Sequence, residues 1–321
     1  MDPLLHSLFR PLQVNGSDPY TYYIEQKPSA ALRAYVACYW ESGPATREVS
    51  ERNMAVSDRG EASLGWLEEE EAVDRVLPDG CTDILLEYDP VSKRQELSYC
   101  GTFTNPFVST RQAGSETRIF AVRFFPGGAH YFHGMPTHLF TGGNYRLEDI
   151  WPESIAVIGE RIFEAQDFNE RVRIMDEYLN QLLLRQRTND CDLMKNLLHR
   201  IFVSGGSVGV KELAEREAIS ERQLNRKFGQ WIGISPKKFS EVVRFQSVLH
   251  SIQNGDSVDS MELALKHNFF DQAHLIRDFR RFYGASPLTA AKDFRKLSDF
   301  YNTRSEPSAI LKIGRRMAKE R

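Results

Sequence analysis

The stretch that decides the fold is RDFRRFYGASP, residues 277–287, because the chain carries a close copy of it, RKFGQWIGISP, at residues 226–236. Both copies read R-x-F-x4-G-x-S-P, and they start 51 residues apart. A motif repeated at a fixed interval indicates one supersecondary unit that occurs twice.

Each copy extends backward into the pattern of a short helix, a tight turn and a second helix. A Leu-Ala pair in the first helix, an apolar residue at the turn, and a Leu and a Phe four residues apart in the second helix would share one buried face. This pattern predicts two helix-turn-helix units. The matched positions are Leu213 with Leu263, Ala214 with Ala264, Ile219 with Phe269, Leu224 with Leu275, Arg226 with Arg277, and Phe228 with Phe279.

Residues at the ends of these helices support the assignment. Ser220 and Asp271 are predicted to cap the second helices, since their side-chain oxygens can accept from free backbone N–H groups. Asn268 stands at the second turn and tolerates a positive φ. Gly233 and Gly284 are expected to end the second helices in the left-handed conformation.

Ser-Pro pairs at 235–236 and 286–287 predict the starts of the next helices, with Ser as N-cap and Pro at the first helical position. A long helix from Pro236 to about Ser251 would join the two units. Two recognition helices held about one DNA turn apart, ~34 Å, could enter successive major grooves.

The residues 222–252 and 264–294 resemble the two halves of an AraC/XylS-type DNA-binding domain, over about residues 191–295 of this chain. The one departure is Asn268, where that family usually has Gly. The resemblance implies a transcription regulator, not an enzyme, that binds double-stranded DNA without a cofactor. RNA polymerase is a further expected partner.

The resemblance also implies which side chains meet DNA. Arginine can bind guanine and asparagine can bind adenine through paired hydrogen bonds, whereas phosphate contacts set affinity and salt dependence. For each residue a phosphate contact or a solvated side chain is the alternative to a base contact. The base-contact candidates are Arg222, Asn225, Arg226, Gln272, His274 and Arg277, and the phosphate-contact candidates are Lys237, Lys238, Arg280 and Arg281.

The front of the chain reads mostly as β-structure. The stretches VACYWES (36–42), RVLPDGCTDILLEY (75–88) and AVRFFPGGAHYF (121–132) resemble a domain of unknown function that often precedes AraC-type modules. That resemblance implies a β-rich, cupin-like sensor. The Pro-Asp-Gly at 78–80 predicts a hairpin turn, and the polar, acidic residues 41–71 predict a long loop.

These patterns predict an α+β chain in four parts. A β-rich sensor domain covers residues 1–150, and residues 151–188 form a helical linker with helices that could pair two copies into a homodimer. The double helix-turn-helix domain covers residues 189–296, with a helix start at 188–190, and a basic tail at 297–321 is expected to be disordered.

Composition limits the classes that remain. The chain has 321 residues and a net charge of −3. This net value conceals an uneven distribution of charge. Residues 1–194 are acidic, with 18 Lys+Arg and 30 Asp+Glu, whereas residues 195–295 are basic, with 16 Lys+Arg and 11 Asp+Glu. A basic back suggests a polyanionic partner, although a solvated surface is an equal alternative. No transmembrane or signal segment is recognisable, and no CxxC pair occurs, so a cytoplasmic protein without a metal site or membrane partner is expected.

The front domain offers weaker site candidates. Trp40, Cys81, Phe103, Arg123 and Phe125 could line a pocket for a small acidic or polar effector, although aromatic residues in strands more often form core. Cys81 lies between Asp79 and Asp83, whose charges should raise its thiol pKa. A buried strand cysteine is the simpler interpretation, and a thiol sensor is the alternative.

Three histidines, at 130, 133 and 138, cluster in HYFHGMPTH. Structural roles are favoured over a metal site, since no cysteine or carboxylate completes a ligand set. The leading hypothesis is a ligand-responsive transcription regulator. The alternatives are a regulator that senses alkylation or redox state through cysteine, and a DNA-binding protein that needs no ligand.

Overall fold

The computed structural model describes residues 5–15, 21–44, 73–110, 115–152, 154–185 and 191–296. Strands dominate the front of the chain, and helices make up the described residues from 154 onward. This arrangement confirms the predicted α+β fold class, with a β-rich front domain followed by helices.

The front domain contains two antiparallel sheets. The larger sheet has the strand order β2-β3-β8-β5-β6-β9, and the smaller has the order β1-β4-β7. The strands are β1 (Val14–Asn15), β2 (Thr21–Gln26), β3 (Val36–Pro44), β4 (Val73–Val76), β5 (Thr82–Tyr88), β6 (Gln95–Cys100), β7 (Phe107–Thr110), β8 (Arg118–Phe124) and β9 (Asn144–Arg146).

The two faces of the larger sheet have different partners. Successive side chains of a strand point to opposite faces, so Phe120, Val122 and Phe124 of β8 enter the main core. Ala121, between them, joins a smaller cluster with Cys38 and Trp40 on the other face. The sheet is therefore buried on both faces at its centre.

The predicted hairpin around Pro78-Asp79-Gly80 is wrong. The strand before the turn, β4, pairs with β1 and β7, whereas β5 pairs with β6 and β8. The turn carries the chain from one sheet to the other. The Gln13 side chain fixes the residue before the turn, since it donates to the Leu77 oxygen at 2.9 Å and accepts from the Leu77 nitrogen at 2.6 Å. A local turn signal does not reveal which strands pair.

The loop predicted at 41–71 is wrong for its first four residues. Its first residues, 41–44, form the end of β3, where Glu41 pairs with Ile24 of β2. Residues 45–72 lie outside the described part of the chain. The start predicted at 188–190 and the tail from 297 also lie outside it.

The helices follow the apolar periodicity of the sequence. Two single-turn 3-10 helices, Thr137–Phe140 and Leu147–Asp149, accompany them. The α-helices are α1 (Leu5–Leu8), α2 (His130–His133), α3 (Ser154–Glu164), α4 (Phe168–Arg185), α5 (Cys191–Val203), α6 (Val210–Arg216), α7 (Glu221–Trp231), α8 (Pro236–Gln253), α9 (Ser260–Lys266), α10 (Gln272–Tyr283) and α11 (Pro287–Lys296).

The apolar faces of α3 and α4 are buried within the chain, which leaves dimerisation through them without structural support. In α4, Met175 and Leu179 are fully buried. Polar contacts tie the same helix to the larger sheet: Arg171 Nε lies 2.7 Å from Glu41 Oε2, and Tyr39 donates its hydroxyl to Asp176 at 3.0 Å. These helices belong to the core of the front domain.

One hydrophobic core runs from the front domain into the helical region. Phe9, Phe125, Phe202 and Phe239 meet there, and the rings of Phe9 and Phe202 stack with centroids 4.6 Å apart. All four are buried. The two halves are therefore packed against each other through a buried aromatic contact.

Among the described residues, no helix combines the length and the apolar composition that crossing a membrane would require.

Candidate nucleic-acid interface

The first helix-turn-helix unit, formed by α6 and α7, has the predicted caps. Ser220 accepts from the backbone nitrogen of Gln223 at 3.2 Å, and the Gln223 side chain accepts from the backbone nitrogen of Ser220 at 2.9 Å. This reciprocal pair is a capping box, which satisfies two backbone donors at the start of α7. The turn before it contains Ala218 with φ +52°.

The second unit, formed by α9 and α10, repeats this arrangement. Asp271 accepts from the backbone nitrogen of His274 at 2.6 Å, and Asn268 has φ +55°, as predicted for both residues. Gly284 ends α10 in the left-handed conformation. The two units are joined by α8, which starts at the predicted Pro236 and runs to Gln253.

The three candidates on α7 share one exposed face. Arg222, Asn225 and Arg226 are exposed, while Leu224 and Phe228 are fully buried on the opposite face. Asn225 donates to the Glu221 carbonyl at 2.8 Å, a bond within the helix. The structure thus brings these three side chains together.

The candidates on α10 are less alike. Gln272 and Arg277 are exposed, but His274 is only 28% exposed. The Nε2 atom of His274 lies 3.2 Å from Oδ2 of the buried Asp278, and its ring packs edge-on against Phe269. A base contact by His274 would therefore require it to leave these partners.

The four phosphate-contact candidates also divide. Lys237 and Arg280 are exposed. Lys238 and Arg281 instead converge on Glu241, with Arg281 Nη2 2.8 Å and Lys238 Nζ 3.9 Å from Glu241 Oε2. Burial, followed by the nearby Arg281 charge, lowers the pKa of Lys238. Arg281 thus links α10 to Glu241 of α8, and Lys238 of α8 lies 5.1 Å from the centre of the Phe282 ring of α10.

Arg244 is a residue that the sequence analysis did not single out. It extends from α8 to the turn of the second unit, with its guanidinium 4.7 Å from the centre of the Phe269 ring. It also donates to the carbonyl of Asn268 at 3.4 Å. Because the contact joins residues far apart in sequence, no local pattern could reveal it.

In the front domain, the pocket candidates do not form one group. Cys38, Arg123, Asp83 and Cys100 stand in register across four neighbouring strands. Arg123 forms ion pairs with Asp79 and, at 3.7 Å, with Asp83. The positive charge of Arg123 is therefore balanced by carboxylates of the same chain.

Two other candidates join Arg123, and two do not. Trp40 lies close to Asp83, and Cys81 lies beside Arg123. Phe103 packs on Phe107, with ring centroids 4.5 Å apart. Phe125 belongs to the main core that joins the two halves of the chain. The structure thus brings together three of the five predicted residues.

Of the cysteines near Arg123, Cys38 and Cys81 are buried and Cys100 is half-buried. Burial is the main cause that raises the pKa of Cys38, Cys81 and Cys100, and the Asp79 charge is the second cause at Cys81. The prediction that Asp79 and Asp83 raise the Cys81 pKa is confirmed, with burial as the larger effect. A raised pKa keeps these groups in the less reactive thiol form.

The histidine cluster has structural partners. His130 and His133 lie one helical turn apart on α2, and each forms a hydrogen bond to the backbone of Met135. Burial, followed by the neighbouring His130, lowers the pKa of His133 to about 3. Within the described ranges, no group of His, Cys, Asp or Glu is arranged to hold a metal ion.

Comparison with protein families identifies both parts of the chain. Residues 213–293 match a family described as a helix-turn-helix domain, and residues 61–146 match a domain of unknown function (DUF6597). The chain thus combines a C-terminal helix-turn-helix domain of AraC type with that front domain. It is a DNA-binding transcription regulator, not an enzyme.

Solved structures with some similarity include ToxT from Vibrio cholerae O395, at 8% identity and a TM-score of 0.38, covering 70% of this chain and 94% of ToxT. Another is the structure of wild-type ToxT with bound unsaturated fatty acid, from Vibrio cholerae strain SCE256. It has 10% identity and a TM-score of 0.37, over 71% of this chain and 92% of ToxT. A search of curated proteins finds no match.

Proposed function

We propose that this chain is a sequence-specific regulator whose α7 and α10 are recognition helices that enter successive major grooves of DNA. The supporting observation is that matched positions of the two units, Arg226 and Arg277, are exposed. The apolar residues on the opposite face of each helix are buried, namely Leu224 and Phe228 on α7 and Leu275 and Phe279 on α10. With 18 residues at ~1.5 Å rise, α8 is about 27 Å long, close to the ~34 Å of one DNA turn.

The proposed division of contacts follows from the exposure of each side chain and from its partners within the protein. Arg222, Asn225, Arg226, Gln272 and Arg277 are the base-contact candidates, and His274 becomes one only after its partners are released. Lys237 and Arg280 contact phosphates, since both are exposed close to the recognition helices. Arg281, through Glu241, and Lys238, through the Phe282 ring, contribute mainly by holding α8 against α10.

The front domain is proposed to sense a small effector through the face of the larger sheet that carries Trp40, Cys81 and Arg123. An acidic effector would compete with Asp79 or Asp83 for the guanidinium. A ligand shifts the equilibrium only if it binds two states unequally. The same proposal places the protein in the cytoplasm. Its expected partners there are RNA polymerase and a second copy of the chain.

A cysteine-based sensor is a weaker candidate. All three cysteines whose side chains are described have a raised pKa, which disfavours attack by a thiolate. A screen of small organic acids by thermal shift would test the ligand hypothesis, since a bound effector raises the melting temperature by mass action. No shift with any acid would favour the ligand-independent regulator.

The DNA proposal is tested by selecting bound fragments from random genomic DNA and then measuring two variants on the selected site. Arg226→Ala and Arg277→Ala should each weaken binding by about 1–3 kcal/mol, a loss of about 5- to 150-fold. Arg173→Ala, an exposed arginine on α4, is the matched control and should bind like the unmodified protein. Unchanged affinity in both test variants would contradict the assigned recognition helices.

A further inference from the structure

The C-terminal end of α7 is covered by three threonines of the front domain. A helix leaves its last carbonyl oxygens without partners in the helix. Here the carbonyls of three consecutive residues, Trp231, Ile232 and Gly233, accept hydroxyl hydrogen bonds from the front domain. The donors are Thr137 to Trp231 at 3.2 Å, Thr102 to Ile232 at 2.8 Å and Thr141 to Gly233 at 2.8 Å.

The fit around these threonines is close. Thr102 and Thr137 are almost completely buried. Gly233 has φ +91°, and a Cβ atom there would lie 2.8 Å from Thr141 Oγ1 and 3.2 Å from the Thr137 oxygen. At Gly284, the matched glycine of the second unit, a Cβ would meet nothing within 4 Å. The front domain thus covers the end of α7 and leaves Gly284 open.

The end of α10 is held by a different residue of the front domain. Arg75, on β4, donates to the Tyr283 carbonyl at 3.4 Å, and its guanidinium lies 4.8 Å from the centre of the Tyr283 ring. The same arginine is 3.6 Å from Asp293 of α11. Both proposed recognition helices therefore end against the front domain.

The helix between the two units is held as well. Gln246, in the middle of α8, is fully buried. Its amide accepts from the Leu12 nitrogen at 2.7 Å and donates to the oxygens of Leu12 and Pro78 at 3.2 and 2.9 Å. The front domain thus contacts three separate helices of the DNA-binding region by directional hydrogen bonds.

We propose that the front domain is a bracket that sets the spacing and angle between the two recognition helices. Thr102, Thr137, Thr141 and Arg75 are then positioning residues for DNA recognition. The inference rests on the proposed function. If the front domain holds the two recognition helices rigidly, the protein binds one arrangement of two DNA blocks without the free-energy cost of ordering the helices. It then binds every other arrangement more weakly.

The test measures how affinity depends on the distance between the two blocks of the selected DNA site. The full-length protein is titrated with the selected site and with sites that carry one or two extra base pairs between the blocks. The unmodified protein should lose about tenfold or more in affinity for each altered spacing, since the helices cannot follow the displaced block.

Removal of the threonine hydroxyls should relax this discrimination. The triple variant T102V/T137V/T141V keeps the side-chain shape but leaves three carbonyls without donors. We expect it to bind the original site more weakly and to discriminate among spacings about threefold less. The serine variant T102S/T137S/T141S keeps the donors and should discriminate like the unmodified protein.

Two milder variants keep the test decisive if the triple variant does not fold. Thr141 and Arg75 are only partly buried, so T141V and R75M should fold and should each relax the spacing preference. Folded variants that discriminate among the DNA spacings as the unmodified protein does would contradict the proposed role of the front domain. An unmodified protein that binds all spacings with equal affinity would contradict it too. Failure to select any common site would instead overturn the proposed function, and the bracket with it.

Discussion

At the residue scale, each turn of the repeat requires one residue with a positive φ, and the two turns use different residues for it. Both Ala218 and Asn268 have a positive φ, at +52° and +55°. The left-handed conformation costs an L-residue about 1–2 kcal/mol, and asparagine offsets part of this by local hydrogen bonding. The first turn therefore carries more strain than the second.

Ala218→Gly should stabilise the protein. Glycine removes the clash of Cβ at positive φ but adds freedom to the unfolded chain, so we expect a net gain of about 0.5–1 kcal/mol. Urea unfolding would measure it. Asn268→Gly serves as the comparison and should gain less. An Ala218→Gly protein that is no more stable than the original would contradict the strain at this turn.

Asp83 is a second residue whose surroundings predict a measurable effect. Burial is the main cause that raises its pKa to about 6, while Arg123 opposes the rise and Asp79 adds to it. Because the pKa is higher in the folded protein, the stabilisation due to the protonated carboxyl is complete below pH ~4. It is lost as the pH rises through about 6.

Asp83→Asn should remove this pH dependence. The difference in unfolding free energy between the original protein and the variant should shift in favour of the variant from pH ~4 to ~6 and then level off. Urea unfolding at a series of pH values would measure it, with the exposed Asp149→Asn as control. A difference that stays constant over this range would rule out the raised pKa.

At the element scale, α8 does more than join the two units. It carries apolar residues that contact both units, and it carries the buried Gln246, which binds the front domain. The three hydrogen bonds of this amide satisfy backbone groups of Leu12 and Pro78 that lie away from water. Burial of such groups is tolerated only when they are paired.

Gln246→Ala should destabilise the protein by about 2–4 kcal/mol, because it leaves buried polar groups unpaired and opens a small cavity. Ser247→Ala, next along the same helix, removes a hydroxyl that donates to the Val243 carbonyl of its own helix, and it should cost much less. Chemical denaturation of both variants would measure the difference. Similar losses in the two variants would contradict the role assigned to the amide.

At the scale of the whole molecule, the front domain and the helical region share one core. Phe9 and Phe125 from the front meet Phe202 and Phe239 from the helices. The tip of the turn between the sheets also packs directly on α8: a Cβ at Gly80 would lie 2.5 Å from the Phe239 ring. Motion between the two halves is therefore opposed by a buried, close-packed contact.

This shared core predicts that the protein unfolds in one transition. Tryptophan fluorescence reports on both halves, since Trp40 and Trp151 lie in the front domain and Trp231 at the contact. Far-ultraviolet circular dichroism reports mainly on the helices. The two signals should change together in urea. Two separate transitions would mean that the halves are independently stable.

The sequence by itself determined the parts that depend on near neighbours. The caps at Ser220 and Asp271, the positive φ of Asn268 and the glycines after the second helices follow from residues within a few positions of each other. The repeat then identified the double helix-turn-helix, and exposure agrees with the face predicted for Arg222, Asn225 and Arg226. Local hydrogen bonding and helical periodicity are sufficient for such predictions.

Only the tertiary structure decided the strand pairing around Pro78-Asp79-Gly80, the partners of Arg123 and the contacts of the front domain with the helices. Thr102 and Ile232 are 130 residues apart, and a threonine on its own carries no signal that it will bond a distant carbonyl. The ion pairs of Arg123 likewise depend on strands brought together in space. Such contacts form only when the whole chain packs, because their partners are set by the global arrangement of strands and helices.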